Sequence, residues 1–156
     1  MIINSKKRAF GIGAKVSTFT LGTMRAAKSA NKMYEIIKCA HNAGINHIET
    51  APAYGNSETF IGEALNKLEK VENINKSKWI ITTKILPTGN ISQLKRNFYS
   101  SLKKLNLKRV NNLAIHGINL SEHLDWALYG EGRKFINWIK DMDLIEQIGF
   151  SSHGSY

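Results

Sequence analysis

The chain has 156 residues, of which 42% are hydrophobic, and it carries a formal net charge of +10. This length favours one domain with a real core, and since no apolar run reaches about 18 residues, no membrane span is expected. The positive charges are spread along the chain instead of forming one basic patch, which argues against a nucleic-acid partner.

The start of the chain and its single cysteine favour a cytoplasmic location. Residues 1–13 lack the apolar core of a signal peptide. Cys39 has no second cysteine with which to form an internal disulfide. It falls within an apolar helical pattern, which predicts a buried thiol.

Periodicity and turn residues divide the chain into a hairpin followed by alternating strands and helices. Gly11 and Gly13 permit the positive φ of a tight turn, so residues 6–19 are predicted to form the hairpin. Short apolar runs predict strands at residues 19–25, 45–50, 78–86, 110–117 and 145–152. Apolar residues three and four apart predict helices at residues 29–44, 57–70, 90–107 and 133–142. Residues 118–132 are assigned to a longer connection.

Several helix ends and one buried helix face can also be assigned from residue types. Ser29 or Asn31 is expected to cap the first helix, Gly44 occupies the position of a C′ glycine, and Ser57 is expected to cap the second helix. The last helix is expected to bury four side chains, which are Phe135, Trp138, Ile139 and Met142.

Strands that alternate with helices imply parallel strands joined by right-handed crossovers. Two layouts fit this alternation, an open doubly wound sheet and a closed (β/α)₈ barrel. Length favours the open sheet, because a barrel usually needs about 250 residues. The sequence motifs favour the barrel. The G-x-G at residues 11–13 follows no buried strand and opens no helix, which excludes a dinucleotide-binding fingerprint there.

Polar residues gather at the carboxyl ends of the predicted strands, where parallel α/β folds place their sites. Glu49, Lys84 and His116 end three successive strands, and Tyr54 follows Glu49 by five residues. Strand alternation predicts that Lys84 and His116 point into a common interior. Taken singly, each of the four is more typical of a solvent-exposed, capping or packing residue.

Together the four residue types form a set suited to proton transfer. A phenol is a poor acid near neutrality, since its unperturbed pKa is about 10. A nearby ammonium group favours the phenolate, a carboxylate can hold that ammonium in place, and an imidazole can orient a carbonyl oxygen. The set therefore points to general acid catalysis on a carbonyl that is being reduced.

At these positions the sequence resembles the N-terminal part of the aldo-keto reductases, which are (β/α)₈ barrels that use NADPH. The segment GINHIETAPAYGNSETFIG, residues 44–62, resembles the family signature G-[hydrophobic]-x-x-[hydrophobic]-D-T-A-x-x-Y-G-x-S-E-x-x-[hydrophobic]-G. The segments LGTMR, ITTKI, LAIHG and IGFSSHG resemble the motifs of the first, third, fourth and fifth barrel strands. These ordered matches extend over essentially the whole chain.

The resemblance implies an NADPH-dependent oxidoreductase that reduces aldehydes or ketones to alcohols. It implies that Tyr54 donates the proton, Lys84 tunes its acidity, Glu49 holds Lys84, and His116 orients the substrate carbonyl. It also implies a set of cofactor-binding residues, which are Gly22, Thr23, Met24, Glu49, Ser151 and Ser152. No metal is expected, and the expected partner is a small carbonyl substrate, with no nucleic acid and no membrane.

The sequence departs from the family pattern at three points. Glu49 stands where most of the family has Asp, and Ser152 stands where the fifth-strand motif has Asn. The chain also ends after the fifth strand, so residues 1–156 are expected to form a partial barrel that does not close and lacks much of the adenosine-phosphate site. The alternative expectation is a weak or inactive fragment that associates, with itself or a complementing chain, through open sheet edges.

Overall fold

The structure is a computed structural model that describes residues 6–26 and 28–154. Residues 1–5, which belong to the N-terminal segment that lacks a signal-peptide core, lie outside this described part. The strands are β1 (Lys7–Arg8), β2 (Val16–Ser17), β3 (Leu21–Gly22), β4 (His47–Glu49), β5 (Ile80–Ile85), β6 (Val110–His116) and β7 (Ile145–Ser151). The α-helices are α1 (Ala30–Asn42), α2 (Ser57–Glu72), α3 (Ile91–Leu105), α4 (Ser121–Leu128) and α5 (Glu131–Asp141), with a 3₁₀ turn at Lys76–Lys78.

The main sheet decides between the two layouts that the sequence left open. β3 to β7 pair in chain order, and every neighbouring pair is parallel. A doubly wound sheet would reverse its strand order at a switch point, whereas a barrel adds strands in sequence. The described residues therefore form four β/α units and a fifth strand in a barrel-type order, with β3 and β7 as edge strands, as the motifs predicted.

The helices cover one face of this sheet because each presents an apolar stripe to it. α1, α2, α3 and α5 pack side by side over the strands. Their buried core consists mainly of Met33, Ile37, Ile48, Ile61, Leu65, Leu94, Phe98, Leu102, Leu113, Phe135 and Ile139. All six residues of β5 are buried, which is typical of a central strand in a parallel sheet. Within the described residues, no helix is long and apolar enough to cross a membrane.

Two of the predictions about helices were wrong. Residues 118–132 are not only a connection, because they contain α4, which buries Ala127 alone. Met142 does not face inward on α5; it is the C-cap residue and is half exposed, while Ile136 is buried instead. The other inward residues of α5 agree with the prediction, since Phe135 and Ile139 are fully buried and Trp138 packs against the core.

Two further predictions were wrong, and both concern single side chains. Cys39 is exposed, because the buried stripe of α1 runs through Met33, Ile37 and Ala40 on another side of the helix. Ser57 is the first residue of α2 and not its cap; Asn56 holds the cap position. At α1 the choice is settled in favour of Ser29, whose hydroxyl accepts a hydrogen bond from the Lys32 N–H.

A row of hydrogen-bonded polar side chains crosses the face of the sheet that the helices do not cover. The Gln147 amide donates to Asn112 Oδ1 at 2.7 Å, and the Asn112 amide donates to Thr82 Oγ1 at 2.9 Å. Thr82 Oγ1 lies 2.8 Å from His47 Nε2, and Thr20 Oγ1 lies 2.8 Å from His47 Nδ1. Each threonine hydroxyl can donate to or accept from the ring nitrogen that it meets, so the direction of these two bonds depends on the His47 tautomer.

The predicted hairpin forms, and it closes one end of this polar row. β1 and β2 pair antiparallel, and the turn between them lies against β7. Gln147 donates to the Phe10 carbonyl at 2.9 Å and accepts from the Ile12 N–H at 3.1 Å. Gly11 has φ +58°, a conformation that favours glycine, and a Cβ there would lie 2.1 Å from Gln147 Oε1, so the end of the Gln147 side chain would have to move.

Burial of histidine predicts that the protein loses stability in mild acid. Burial lowers the pKa of His41, His47 and His116 below the ordinary value, and Glu49 opposes this only partly at His47 and His116. The unfolded chain therefore binds more protons, so the free energy of unfolding is expected to fall as the pH drops below about 6.5. Measuring the free energy of unfolding in urea between about pH 7 and pH 5 tests this. The carboxylates whose pKa is lowered change that free energy only below this range.

A histidine variant serves as the control for this pH dependence. His47→Gln removes the most deeply buried of the three titrating rings and is expected to flatten the pH profile below neutrality. A wild-type free energy of unfolding that stays constant over the same range would contradict the prediction.

Candidate active site

Three neighbouring strands bring charged or ionisable side chains to the carboxyl end of the sheet. Glu49 ends β4, Lys84 lies one residue before the end of β5, and His116 ends β6. The parallel register fixes their relative heights, because Glu49 pairs with Thr82 and Lys84 pairs with Ala114. All three side chains therefore meet at the carboxyl end of the sheet, as the sequence predicted.

A tight turn after β4 brings Tyr54 back to the carboxyl end of the sheet. The Tyr54 N–H donates to the Ala51 carbonyl at 3.0 Å, and Gly55 follows with φ +61°, a conformation that glycine adopts without strain. The Tyr54 hydroxyl consequently lies 3.4 Å from Glu49 Oε1 and 2.9 Å from Lys84 Nζ. The five-residue spacing between Glu49 and Tyr54 is the length of chain that this turn needs.

Lys84 is the centre of the cluster and is 4% exposed. Its ammonium donates to the Glu49 carboxylate, to the Tyr54 hydroxyl and to the Thr50 carbonyl. All three N–H donors therefore have partners, which a buried ammonium requires. The Glu49 side chain is 36% exposed, so water reaches the carboxylate side of this ion pair.

His116 completes the cluster from the next strand. Its ring meets the Tyr54 ring edge to face, with the centroids 5.8 Å apart. Burial lowers the pKa of His116, the positive charge of Lys84 lowers it further, and Glu49 opposes both. The imidazole is therefore neutral at pH 7 and can donate one hydrogen bond to a bound oxygen.

Of the predicted cofactor-binding residues near β3, Thr23 is buried, whereas Gly22 and Met24 are open. Thr23 is 2% exposed, and both its N–H and its hydroxyl donate to the Glu49 carbonyl. Met24 is 56% exposed, and Gly22 borders open space. Thr23 therefore anchors the backbone of Glu49, while Gly22 and Met24 are open to the surface.

Ser151 and Ser152 lie on the other side of the cluster, at the end of β7. Ser151 pairs with His116, and its hydroxyl accepts from the Gly117 N–H at 3.1 Å. The Ser152 hydroxyl donates to Asn119 Oδ1 at 3.3 Å. Both serines stand beside His116, but their hydroxyls are engaged with the loop that follows β6.

A cavity of about 430 Å³ opens on the inner face of the sheet below these side chains. Its lining includes Glu49, Lys84, Gly149, Phe150 and Ser151. Among the described residues, no group of three or more His, Cys, Asp or Glu side chains is placed to hold a metal ion. Glu49 and Lys84 thus line this cavity, while Lys84 and His116 line a second cavity of about 400 Å³.

Sequence reasoning did not assign the residues that surround this cluster. Thr82 and Asn112 were visible on the same strand faces as Lys84 and His116, but the hydrogen bonds that join Asn112 to Thr82 and Thr82 to His47 were not. The hydrogen bond that joins Thr83 to Glu58 was missed as well. Strand alternation could have indicated His47 and Thr82. Each lies two residues before a residue of the cluster and therefore shares its face of the sheet.

Comparison with known proteins assigns the chain to a family. The profile of the Aldo/keto reductase family matches residues 18–155. This match spans most of the chain and includes every residue of the cluster. The chain belongs to the aldo/keto reductase family.

Individual members of the aldo/keto reductase family agree with this assignment. The D-arabinose 1-dehydrogenase of Saccharomyces cerevisiae is 26% identical over an alignment of 168 positions, covering 97% of this chain and 47% of that protein. A putative aldo-keto reductase from Pseudomonas aeruginosa has a TM-score of 0.81 at 24% identity, covering 96% of this chain and 61% of that one. An aldo-keto reductase of Bombyx mori in complex with NADP has a TM-score of 0.75 at 21% identity, with 95% and 50% covered. The chain thus spans about half the length of the curated relative.

Proposed function

We propose that this protein is an NADPH-dependent carbonyl reductase in which Tyr54 donates the proton. The observation that carries the proposal is the position of the Tyr54 hydroxyl, 2.9 Å from the ammonium of Lys84, a residue that lines an open cavity. Membership of the aldo/keto reductase family supports it. The oxidoreductase name of the yeast relative supports it as well.

The described residues leave room for the nicotinamide end of such a cofactor. No heavy atom beyond the adjoining residues lies within 4 Å of where a Cβ would stand at Gly22 or Gly149. A flat ring can therefore approach the backbone on both sides of the cluster. In this proposal Gly22, Thr23, Met24 and Glu49 border the ring on one side, and Ser151 and Ser152 bind its amide on the other. When bound, the reduced nicotinamide would supply a hydride to the carbonyl carbon.

The chain's own residues would supply the proton and hold the substrate. The Tyr54 hydroxyl would donate its proton to the carbonyl oxygen as negative charge develops there. Lys84 donates a hydrogen bond to that hydroxyl, which favours the phenolate left behind. Glu49 holds the ammonium by an ion pair, so that Lys84 stays beside Tyr54 after the proton has moved.

His116 would act as a neutral hydrogen-bond donor to the same oxygen. The low pKa of the ring keeps it uncharged at neutral pH, so it can orient a carbonyl without competing as an acid. Glu49 stands where the family motif has Asp, and its longer side chain still reaches Lys84. That departure from the motif therefore preserves the ion pair.

An NADPH oxidation assay with small aldehydes tests the proposed function. The yeast relative's name places pentoses among the substrates to try, in both the reducing and the oxidising direction. Saturable, substrate-dependent oxidation of NADPH is expected. No substrate-dependent oxidation at any NADPH concentration would contradict the proposal.

We expect the 156-residue chain to bind NADPH only weakly by itself. The chain corresponds to 47% of the curated relative, and in this proposal its described residues would border only the nicotinamide end of the cofactor. Fluorescence titration of the monomer measures this affinity. A dissociation constant in the micromolar range would contradict the expectation.

A second candidate function is association through the edge strands, and one observation favours it. β7 is seven residues long, and in the described part of the chain only β6 pairs with it in the main sheet. Such an edge presents unpaired backbone groups to another chain. A defined dimer in a native mass measurement, together with no NADPH binding, would favour this function over the reductase.

A further inference from the structure

The second residue of α2 is a buried carboxylate that the proposed chemistry does not use. Glu58 is 1% exposed. Its Oε1 accepts a hydrogen bond from the Thr83 hydroxyl at 2.7 Å. Its Oε2 is buried and has no hydrogen-bond partner among the described residues. A carboxylate in this environment is costly to bury, and a leucine would fill such a position more cheaply.

The start of α2 explains how the charge is tolerated. Glu58 lies in the first turn of the helix, and Asn56, at the cap position, makes no side-chain capping bond. The exposed N–H groups of a helix start carry a partial positive charge, which stabilises a carboxylate in the first turn. The helix dipole offsets the cost of burial, but it does not explain the direct bond to Thr83.

Thr83 is the residue immediately before Lys84 on β5 and is fully buried. Successive side chains of a strand point to opposite faces. A Thr83 side chain held against α2 therefore directs Lys84 to the inner face of the sheet, where Tyr54 and Glu49 lie. The bond between Glu58 and Thr83 therefore ties α2 to β5 at the residue next to Lys84, in addition to the pairing of β5 with β4 and β6.

The neighbouring residue Ser57 makes a matching set of bonds to the residues that directly follow β3 and β4. The Ser57 hydroxyl accepts from Thr50 at 3.1 Å and donates to Thr23 Oγ1 at 2.7 Å. Thr50 follows Glu49, and Thr23 donates twice to the Glu49 carbonyl. The first turn of α2 thus holds the strand ends that carry both members of the ion pair.

We propose that Glu58 is a positioning residue that holds Lys84 beside Tyr54 by binding the Thr83 hydroxyl. The catalytic meaning of this role rests on the proposed reductase function, while the geometry can be measured without turnover. A misplacement of about 1 Å in a proton-transfer group can cost about 10²-fold in rate, so such a bond matters to a site of this kind.

The His116 ring provides a spectroscopic reporter for the position of Lys84. The charge of Lys84 contributes to the lowered pKa of His116, after burial. The titration midpoint of the His116 Cε1 proton can be followed by NMR, with His116→Gln to assign the signal among the five histidines. If Lys84 moves away, this midpoint rises toward that of a free histidine.

Two substitutions at Thr83 form a matched pair for this measurement. Thr83→Val keeps the shape and removes the hydroxyl, so the His116 midpoint is expected to rise. Thr83→Ser keeps the hydroxyl, so the midpoint is expected to stay at the wild-type value. Glu58→Gln keeps an oxygen that can accept from Thr83, so it is also expected to behave as wild type. A Thr83→Val protein that folds and keeps the wild-type midpoint would overturn the proposal.

A double variant covers the case in which Thr83→Val does not fold because Glu58 loses its remaining partner. Glu58→Leu combined with Thr83→Val replaces both polar groups by apolar ones of similar size, a change that is often tolerated. The His116 midpoint of the double variant is expected to rise, and a wild-type midpoint would overturn the proposal.

Kinetics separate this role from the proposed reductase activity. If the wild type reduces aldehydes, Thr83→Val is expected to lower kcat by about 10- to 100-fold with little change in the KM for NADPH. If the wild type has no reductase activity but the midpoint still rises in Thr83→Val, the positioning role stands and the proposed function fails.

Discussion

Replacing Tyr54 by phenylalanine is expected to lower the turnover of a carbonyl substrate by roughly 10²- to 10⁴-fold, the usual contribution of a general acid. The phenylalanine ring can keep the edge-to-face contact with His116, so the turn after β4 is expected to stay in place. What is lost is the hydroxyl that accepts from Lys84. Steady-state kinetics at saturating NADPH, with a small aldehyde as substrate, measures the loss.

The affinity for NADPH is expected to change little in this variant, because the Tyr54 hydroxyl acts on the substrate oxygen in the proposed chemistry. Tyr99→Phe is the matched control, since Tyr99 is half exposed on α3 and its ring contacts Trp138. The control is expected to keep wild-type turnover. Wild-type turnover in Tyr54→Phe would exclude Tyr54 as the proton donor, and an equal loss in both variants would point to a general effect on folding.

The positions of the cluster could be predicted because they depend on short-range rules. Strand alternation and a common strand direction are enough to place Lys84 and His116 on one face and at one edge. The turn that returns Tyr54 to Glu49 is encoded within six consecutive residues. The hairpin and the barrel-type strand order followed from turn glycines and from the motif order in the same way.

The residues that support the cluster could not be predicted, because their partners are distant in the sequence. Glu58 and Thr83 are 25 residues apart, and His47 is 35 residues from Thr82. Pattern reasoning assigns a buried threonine or histidine to a face, but it does not say which polar atom it meets. From the sequence alone, Glu58 is predicted to be a solvated residue in the first turn of a helix. Its burial follows only from the packing of α2 on β5.

The misplaced apolar residues have a different cause, which is the phase of the helix. Met33, Ile37 and Ala40 define the buried stripe of α1, and Cys39 lies about 120° around the helix from Met33. At α5 the predicted stripe extended to Met142, where the helix has already ended. The spacing of apolar residues therefore identified each helix correctly but left the exact edges of its buried face undetermined.

Replacing Gly62 by alanine is expected to destabilise the protein by about 2 kcal/mol, within the range for overpacked cores. Gly62 lies on α2 where this helix crosses the end of α3. A Cβ there would stand 2.3 Å from the Lys104 carbonyl oxygen and 2.8 Å from the Leu105 carbonyl carbon. Both are backbone atoms, so the two helices must separate. Alanine's better helix propensity offsets only about 1 kcal/mol of this cost.

Gly149→Ala is the control for this change, because a Cβ at Gly149 meets no heavy atom within 4 Å and its φ is not positive. Its stability is expected to stay within about 0.5 kcal/mol of the wild type. In thermal unfolding, Gly62→Ala is expected to lower Tm by roughly 4–8 °C, and Gly149→Ala by little. An unchanged Tm in Gly62→Ala would mean that α2 and α3 do not approach this closely. Such a result would also weaken the proposal that Glu58 positions Lys84, because Glu58 lies on the same helix, α2.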